Sequence, residues 1–103
     1  MRPLLVRGAA ESNVDEIAAR IAKENLSAAI RFYQRVEETF ERLAAWPNCG
    51  APRLTRNPLL QGLRSYPIRG YRNYLVFYIP YEDRVEILHV IHGARDIPAV
   101  LNL

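Results

Sequence analysis

Six side chains in the second half of the sequence could take part in acid–base or phosphate chemistry. They are Arg64, Arg72, Tyr78, His89, His92 and Arg95. An RNA-cleaving site without a metal needs a base for the 2′-hydroxyl, an acid for the leaving oxygen and cations for the phosphorane, and these residue types can fill those roles. The catalytic signal is nevertheless weak, because no Glu or Lys neighbour marks a general base beside the arginines.

The two histidines do not have the spacing of a catalytic pair. His89 and His92 are three residues apart on a predicted strand, so they should point to opposite faces. His89 should lie on the same face of the strand as three apolar residues, Val85, Ile87 and Ile91. This alternation predicts a core position for His89. His92 precedes Gly93, where a turn hydrogen bond is the simpler interpretation. With Cys49 these are the only Cys and His residues, and their spacing matches no structural metal site, so we expect neither metal nor cofactor.

Arginines dominate one stretch of the chain. Between Glu41 and Glu82 there is no carboxylate, whereas six arginines fall there, at positions 42, 53, 56, 64, 69 and 72. Tyrosines 66, 71, 74 and 78 are interleaved with them. Arginine suits bidentate recognition of carboxylate or phosphate. The pattern is compatible with a solvated surface, with a face for an acidic partner and with a nucleic-acid surface.

Length and composition are those of one globular domain, residues 1–103. Half of the 103 residues are hydrophobic and 24% are charged, with a net charge of +3. A single cysteine excludes an intrachain disulfide and favours a reducing compartment, and no signal peptide is recognisable at the start. The longest uncharged run near the aromatics, 73–81, is about half a membrane span. We expect a cytoplasmic protein with no membrane contact.

The first half of the chain predicts a strand followed by a helical hairpin. The apolar run 3–8 is typical of a strand. Asn13 and Glu16 have capping-box spacing, which predicts a helix start, and Ser27 is the predicted N-cap of a second helix that ends at Trp46–Pro47. The second helix should bury one stripe: Ile30, Tyr33, Val36, Phe40, Leu43 and Ala44.

The second half predicts a loop followed by an antiparallel meander. Residues 47–62 are rich in Pro and Gly, and strands are predicted at 63–68, 72–81 and 84–92, with short turns between them. Alternation in the last two strands makes both sheet faces apolar, so we expect the hairpin to cover one face and a partner to cover the other. Arg95–Asp96 is interpreted as a local ion pair or the cap of a terminal turn.

Four stretches, taken in this order, resemble the RelE/ParE toxins of type II toxin–antitoxin systems. They are RFYQRVEETFERLAAWPNCGAPR (31–53), GLRSYPI (62–68), NYLVFY (73–78) and VEILHVIHGARDI (85–97). The resemblance implies an α+β fold of order βααβββ, in which a helical hairpin packs on a twisted, largely antiparallel sheet. It covers nearly the whole chain.

The resemblance is stronger to the ParE branch than to the RelE branch. RelE-like members cleave mRNA on the ribosome with Arg, Lys, Tyr, Glu or His side chains, whereas ParE-like members inhibit DNA gyrase by protein contact. This chain has a single lysine, Lys23, and no acidic residue between 42 and 81. The ParE interpretation, typical of plasmid stabilization systems, is therefore favoured. Four positions match functional places of the nuclease branch and keep that alternative open: Arg64, Arg72, Tyr78 and His92.

The resemblance also implies partners. A cognate antitoxin should place acidic and apolar side chains on the toxin and form a hetero-oligomer with it. The residues expected to bind partners are Arg53, Arg56, Arg64, Arg69, Arg72, Tyr74 and Arg95. The expected target is DNA gyrase, or the ribosome and mRNA in the alternative. A further alternative is a small basic nucleic-acid-binding module, which would bind naked RNA or DNA with steep salt dependence.

Overall fold

The computed structural model describes residues 1–93, and the predictions for Arg95, Asp96 and the apolar tail lie outside these residues. The elements in chain order are β1 Leu4–Val6, α1 Gly8–Ala22, α2 Leu26–Ala45, β2 Ala51–Pro52, a 3₁₀ helix Pro58–Leu60, β3 Arg64–Ile68, β4 Tyr71–Pro80 and β5 Val85–His92.

The five strands of the described region form one mixed sheet of order β1-β5-β4-β3-β2. β1 is parallel to β5, and the other neighbours are antiparallel. α1 and α2 pack on one face of the sheet, with α1 against β5 and α2 against β3. The predicted α+β fold is therefore confirmed. The two-residue strand β2 is an addition, because the sequence predicts only a loop in that segment.

The predicted start of α1 at Asn13 is wrong. The helix begins at Gly8 directly after β1, and Asn13 lies inside it. The Asn13 Oδ1 accepts a hydrogen bond from the Val90 backbone N–H at 3.1 Å and lies 3.3 Å from Nδ1 of His89. β1 pairs with β5 only as far as Ile87. Asn13 therefore satisfies the edge of β5 beyond that point, rather than the end of its own helix.

The N-cap of α2 is Asn25, not Ser27, and its side chain accepts from the Ala28 N–H at 3.0 Å. The predicted buried stripe is also partly wrong. Ile30 and Tyr33 are 54% and 44% exposed, whereas Phe32 is fully buried. Phe32 packs edge-to-face against two tyrosines of β4, with ring centroids 5.1 Å from Tyr71 and 6.2 Å from Tyr74. These contacts fix which face of the helix turns inward.

A bulge in β5 invalidates the predicted parity of His89. Phe77 pairs with His89 and Tyr78 with Ile87, so Leu88 has no partner across β4. After the bulge, Val90 joins Val85 and Ile87 in the cluster under the helices, while Leu88 and Ile91 belong to a second cluster. His89 is half-buried, and burial and then the charge of Arg7 lower its pKa.

Both sheet faces are apolar, as the alternation predicted. The helix-side cluster contains Phe32, Val36, Leu43, Val76 and Tyr78 among others. The second cluster contains Leu63, Phe77, Ile79, Leu88 and Ile91. None of these ten side chains is more than 5% exposed. Phe77 and Tyr78 are adjacent in β4 and belong to different clusters, as the period of two requires.

Candidate functional site

Tyr78, a candidate catalytic residue, is part of the core. It lies in the middle of β4 with a fully buried side chain. Its hydroxyl donates to the Pro47 carbonyl at 2.8 Å and accepts from the Gly50 N–H at 2.9 Å. Burial raises the pKa of Tyr78 to about 12. The phenol therefore stays protonated at neutral pH, and both of its bonds go to the loop 47–50 that leads out of α2.

Arg64, a second catalytic candidate, is held by the same loop. Its Nη1 donates to the Asn48 carbonyl at 3.1 Å and to the Gly50 carbonyl at 2.7 Å. Arg64 and Tyr78 are also direct partners across β3 and β4. The side chains that sequence reasoning assigned to phosphate chemistry thus fasten a loop to the sheet, and we name this arrangement the Tyr78 lock.

Gly50 is a required part of the Tyr78 lock. A Cβ at this position would lie 2.5 Å from the Tyr78 hydroxyl and 2.8 Å from the Ser65 carbonyl oxygen. The second of these atoms belongs to the backbone of β3 and cannot move aside cheaply. Only glycine allows the loop to come this close to the sheet.

Arg53 is likewise used within the chain. Its Nε donates to Ser65 Oγ at 2.7 Å, and its guanidinium lies over the Phe77 ring at 5.5 Å from the centroid. Arg56, Arg69 and Arg72 differ, since their side chains are exposed and make no hydrogen bond or ion pair within residues 1–93. The run of arginines therefore divides into an inward set that stabilises the fold and an outward set that is available to a partner.

Arg69 and Arg72 line a groove between the C-terminal half of α2 and the β3–β4 hairpin. The groove has a volume of about 670 Å³. We name it the arginine groove, and its lining residues are Glu38, Thr39, Glu41, Arg42, Ala45, Trp46, Tyr66, Pro67, Ile68, Arg69, Gly70 and Arg72. Trp46 is 66% exposed, so an apolar ring is offered beside three cations. Such a site can bind carboxylates together with an apolar side chain.

A second groove, of about 590 Å³, runs between β1 and the helical hairpin. Its floor is apolar, whereas four acids stand along it: Glu11, Asp15, Glu37 and Glu41. We name it the acidic groove. The Tyr33 hydroxyl donates to Asp15 at 2.6 Å, and this hydrogen bond raises the pKa of Tyr33. This groove was not predicted from the sequence, although the i,i+4 spacing of the acids on each helix would have indicated it.

His92 and Arg72 lie far from the Tyr78 lock. His92 pairs with Tyr74 across β4 and β5, and the two rings meet edge-to-face at 5.5 Å. Tyr74 is half-buried against the helix-side cluster. At roughly 3.3 Å per residue along a strand, Arg72 is about 20 Å from Tyr78, and Tyr74 about 13 Å. The four candidates of the nuclease alternative are thus not brought into one site.

Two further properties bear on the chemistry. Within residues 1–93, no three His, Cys, Asp or Glu side chains converge as metal ligands. The helices of this same region include none that is both long and apolar enough to cross a membrane.

Comparison with known proteins agrees with the fold. A solved structure described as "Chromosomal ParDE TA system from P. aeruginosa" matches with a TM-score of 0.71 and 19% identity, covering 89% of this chain and 96% of that one. No sequence among the curated proteins matches. The family model described as "ParE toxin of type II toxin-antitoxin system, parDE" matches residues 4–97. This chain therefore belongs to the ParE toxin family, as its resemblance predicted.

Proposed function

We propose that this chain is the toxin of a type II toxin–antitoxin pair, that it inhibits DNA gyrase by protein–protein contact in the cytoplasm, and that a cognate antitoxin neutralises it. The family match supports the toxin role. The similar solved structure from P. aeruginosa is a toxin–antitoxin system by its description, which supports an antitoxin partner for this chain as well.

The Tyr78 lock carries the choice of gyrase over RNA cleavage. A general acid or base must reach the reacting atoms, and a nucleophile activator must be free to change its protonation state. The Tyr78 hydroxyl is buried, bonded on both sides and shifted to a pKa of about 12. Arg64 is bonded to two carbonyls of the same loop. The phenol does not meet these requirements, and the guanidinium has fewer donors left to stabilise a phosphorane, which favours a toxin that works without hydrolysis.

The arginine groove is the surface that we assign to the antitoxin. Carboxylates of an acidic antitoxin segment would bind Arg69 and Arg72, and an apolar side chain would cover Trp46. Arg53 and Arg64 remain partner candidates from the sequence, but their engagement inside the chain leaves them fewer free donors. A short acidic reading frame beside this one is the expected genetic context.

One observation favours the RelE-like alternative. Arg72 is exposed and lies two residues from Tyr74, whose ring meets His92. An arginine and a histidine therefore lie at the same end of the sheet, although the Tyr78 lock is distant. This small set defines the residues that a nuclease function would need.

Induction of the chain alone in bacteria distinguishes the two functions. Under our proposal, cells accumulate DNA breaks and an SOS response while mRNA stays intact, and His92→Gln is as toxic as the wild type. Under the alternative, ribosome-bound mRNA is cut and His92→Gln lowers cleavage by a hundredfold or so, the size expected for loss of an acid–base group. Co-expression of the neighbouring acidic reading frame should abolish toxicity. DNA breaks that persist during co-expression would contradict the role of its product as antitoxin.

A further inference from the structure

Two leucines in the connection from β2 to β3 are exposed to a degree that folding does not explain. Leu54 is 97% exposed and Leu59 is 80% exposed. Burying a leucine stabilises a fold, so a chain that leaves two of them in water forgoes that stabilisation. We name residues 53–60 the leucine loop.

The backbone of the leucine loop is fixed by its own hydrogen bonds. The Asn57 N–H donates to Thr55 Oγ1 at 3.1 Å, and Asn57 Oδ1 accepts from the Leu59 N–H at 2.9 Å. Asn57 thereby caps the 3₁₀ helix, whose first residue is Pro58. At the end of the loop, Leu60 packs on the second apolar cluster. The outward position of Leu59 is thus set by these hydrogen bonds, and Leu54 directly follows Arg53, whose backbone N–H donates to the Leu63 carbonyl at 2.8 Å. Both leucines therefore lie next to a fixed backbone group, which lowers the entropic cost of binding through them.

The neighbouring strand does not invite strand addition. β2 is the edge of the sheet, but it has only two residues and one of them is Pro52. A proline cannot donate to an incoming strand, and a two-residue edge offers little pairing. Contact at this end of the molecule therefore falls to side chains, and the large hydrophobic ones exposed there are Leu54 and Leu59.

Charge identifies the kind of partner. Arg56 is exposed within the leucine loop, and no carboxylate occurs in the sequence between Glu41 and Glu82. The complementary surface is therefore acidic. Aliphatic side chains need apolar pockets, which a protein surface provides and a phosphate backbone does not. The features together fit an acidic protein surface with pockets for two leucines.

We infer that the leucine loop is the surface through which the toxin binds gyrase. This surface is separate from the arginine groove that we assign to the antitoxin. This inference rests on the proposed function. The leucine loop spans 53–60, and the arginine groove is lined by residues 38–46 and 66–72, so the two share no residue. Target binding and neutralisation are then carried by different side chains.

The test uses the purified full chain with the double substitution Leu54→Ser and Leu59→Ser. Both side chains are exposed, so the melting temperature should stay as in the wild type. We expect inhibition of gyrase supercoiling to weaken by about tenfold or more, which corresponds to the loss of an anchor worth about 1.4 kcal/mol or more. Affinity for the acidic antitoxin encoded beside the chain should change by less than about twofold, since neither leucine lines the arginine groove. Adding Arg56→Glu to the double substitution should weaken the inhibition of gyrase further.

The matched control is Leu26→Ser with Ile30→Ser, which removes two exposed apolar side chains from α2. This control should inhibit gyrase like the wild type. Full inhibition by the leucine-loop variant would overturn the inference while leaving gyrase as the target. Loss of antitoxin binding by the same variant would assign the loop to the antitoxin instead and also overturn it. A wild-type chain that leaves gyrase unaffected would refute the proposed function, and this inference with it.

Discussion

Tyr78 shows how the environment of one side chain decides between chemistry and architecture. By residue type it could be an acid or a base, and the arginines that precede the run 73–81 could supply cations. Its position in β4 places it in the core instead, where the hydroxyl bonds Pro47 and Gly50. The sequence could not reveal this, because both partners are distant in the chain and are backbone groups, which carry no signature of their own.

The Tyr78 lock predicts a dependence of stability on alkaline pH. Burial raises the folded-state pKa of Tyr78 to about 12, against about 10 in the unfolded chain. Below about pH 10 both states hold the proton and the lock contributes fully. Between about pH 10 and 12 only the unfolded state releases it, so the free energy of unfolding should fall. Urea titrations of the wild type and of Tyr78→Phe at several pH values across this range measure how steeply the free energy of unfolding of each falls with pH.

At neutral pH, Tyr78→Phe should itself lower the free energy of unfolding by about 1–3 kcal/mol, since two backbone groups lose a partner. If the free energy of unfolding fell equally steeply with pH in the wild type and the variant above about pH 10, Tyr78 would be solvated rather than buried.

Gly50→Ala should destabilise the chain through the same contact. The added methyl would meet the Tyr78 hydroxyl and the Ser65 carbonyl oxygen, and overpacking of this kind costs about 1–3 kcal/mol. Gly8→Ala is the matched control, because a Cβ there has nothing within 4 Å. We expect thermal unfolding to show a lower melting temperature for the first variant only. Equal melting temperatures for both would mean that the loop does not approach the sheet.

At the scale of the elements, the sequence predicted the features that depend on periodicity and failed where a distant partner decides. Pro47 and the two-residue period located the end of α2 and the three long strands. The start of α1 and the β5 bulge were not predicted. Asn13 accepts a hydrogen bond from the backbone of β5, and Leu88 is left without a partner by the pairing of β5 with β4. The same reason explains Phe32, whose burial depends on tyrosines of β4.

The correction at the start of α2 gives a prediction at this scale. Asn25→Ala removes the side chain that accepts from the Ala28 N–H, which should lower the free energy of unfolding by about 1 kcal/mol. Ser27→Ala removes a hydroxyl from inside the first turn of α2 and should change it by no more than about 0.5 kcal/mol. Urea unfolding at neutral pH compares the two. A larger loss for Ser27→Ala would restore the capping that the sequence suggested.

At the scale of the whole molecule, the charges are sorted by surface rather than spread evenly. The arginine groove is lined by Arg42, Arg69 and Arg72 together with Glu38 and Glu41, whereas the acidic groove along β1 is lined by four acids and no cation. The net charge of +3 thus understates the contrast between the two surfaces. A sequence reveals the count of charges and their runs, but the sorting depends on how the hairpin folds over the sheet.

This sorting predicts weak binding to naked nucleic acid. Tight non-specific binding needs several cations along one phosphate track, and here two of the arginines are bonded inside the chain. Fluorescence anisotropy with a labelled RNA should show little binding at physiological salt and a shallow salt dependence. Tight binding with a steep salt slope would favour the nucleic-acid-binding module.

We propose that the chain inhibits gyrase and does no RNA chemistry, and a supercoiling assay with purified components tests this proposal most directly. Increasing amounts of the wild-type chain are added to DNA gyrase and relaxed plasmid, with His92→Gln as a parallel sample. We predict that both suppress supercoiling at the same concentration, since neither relies on a catalytic histidine. Undiminished supercoiling at a large excess of folded wild-type chain would contradict the account.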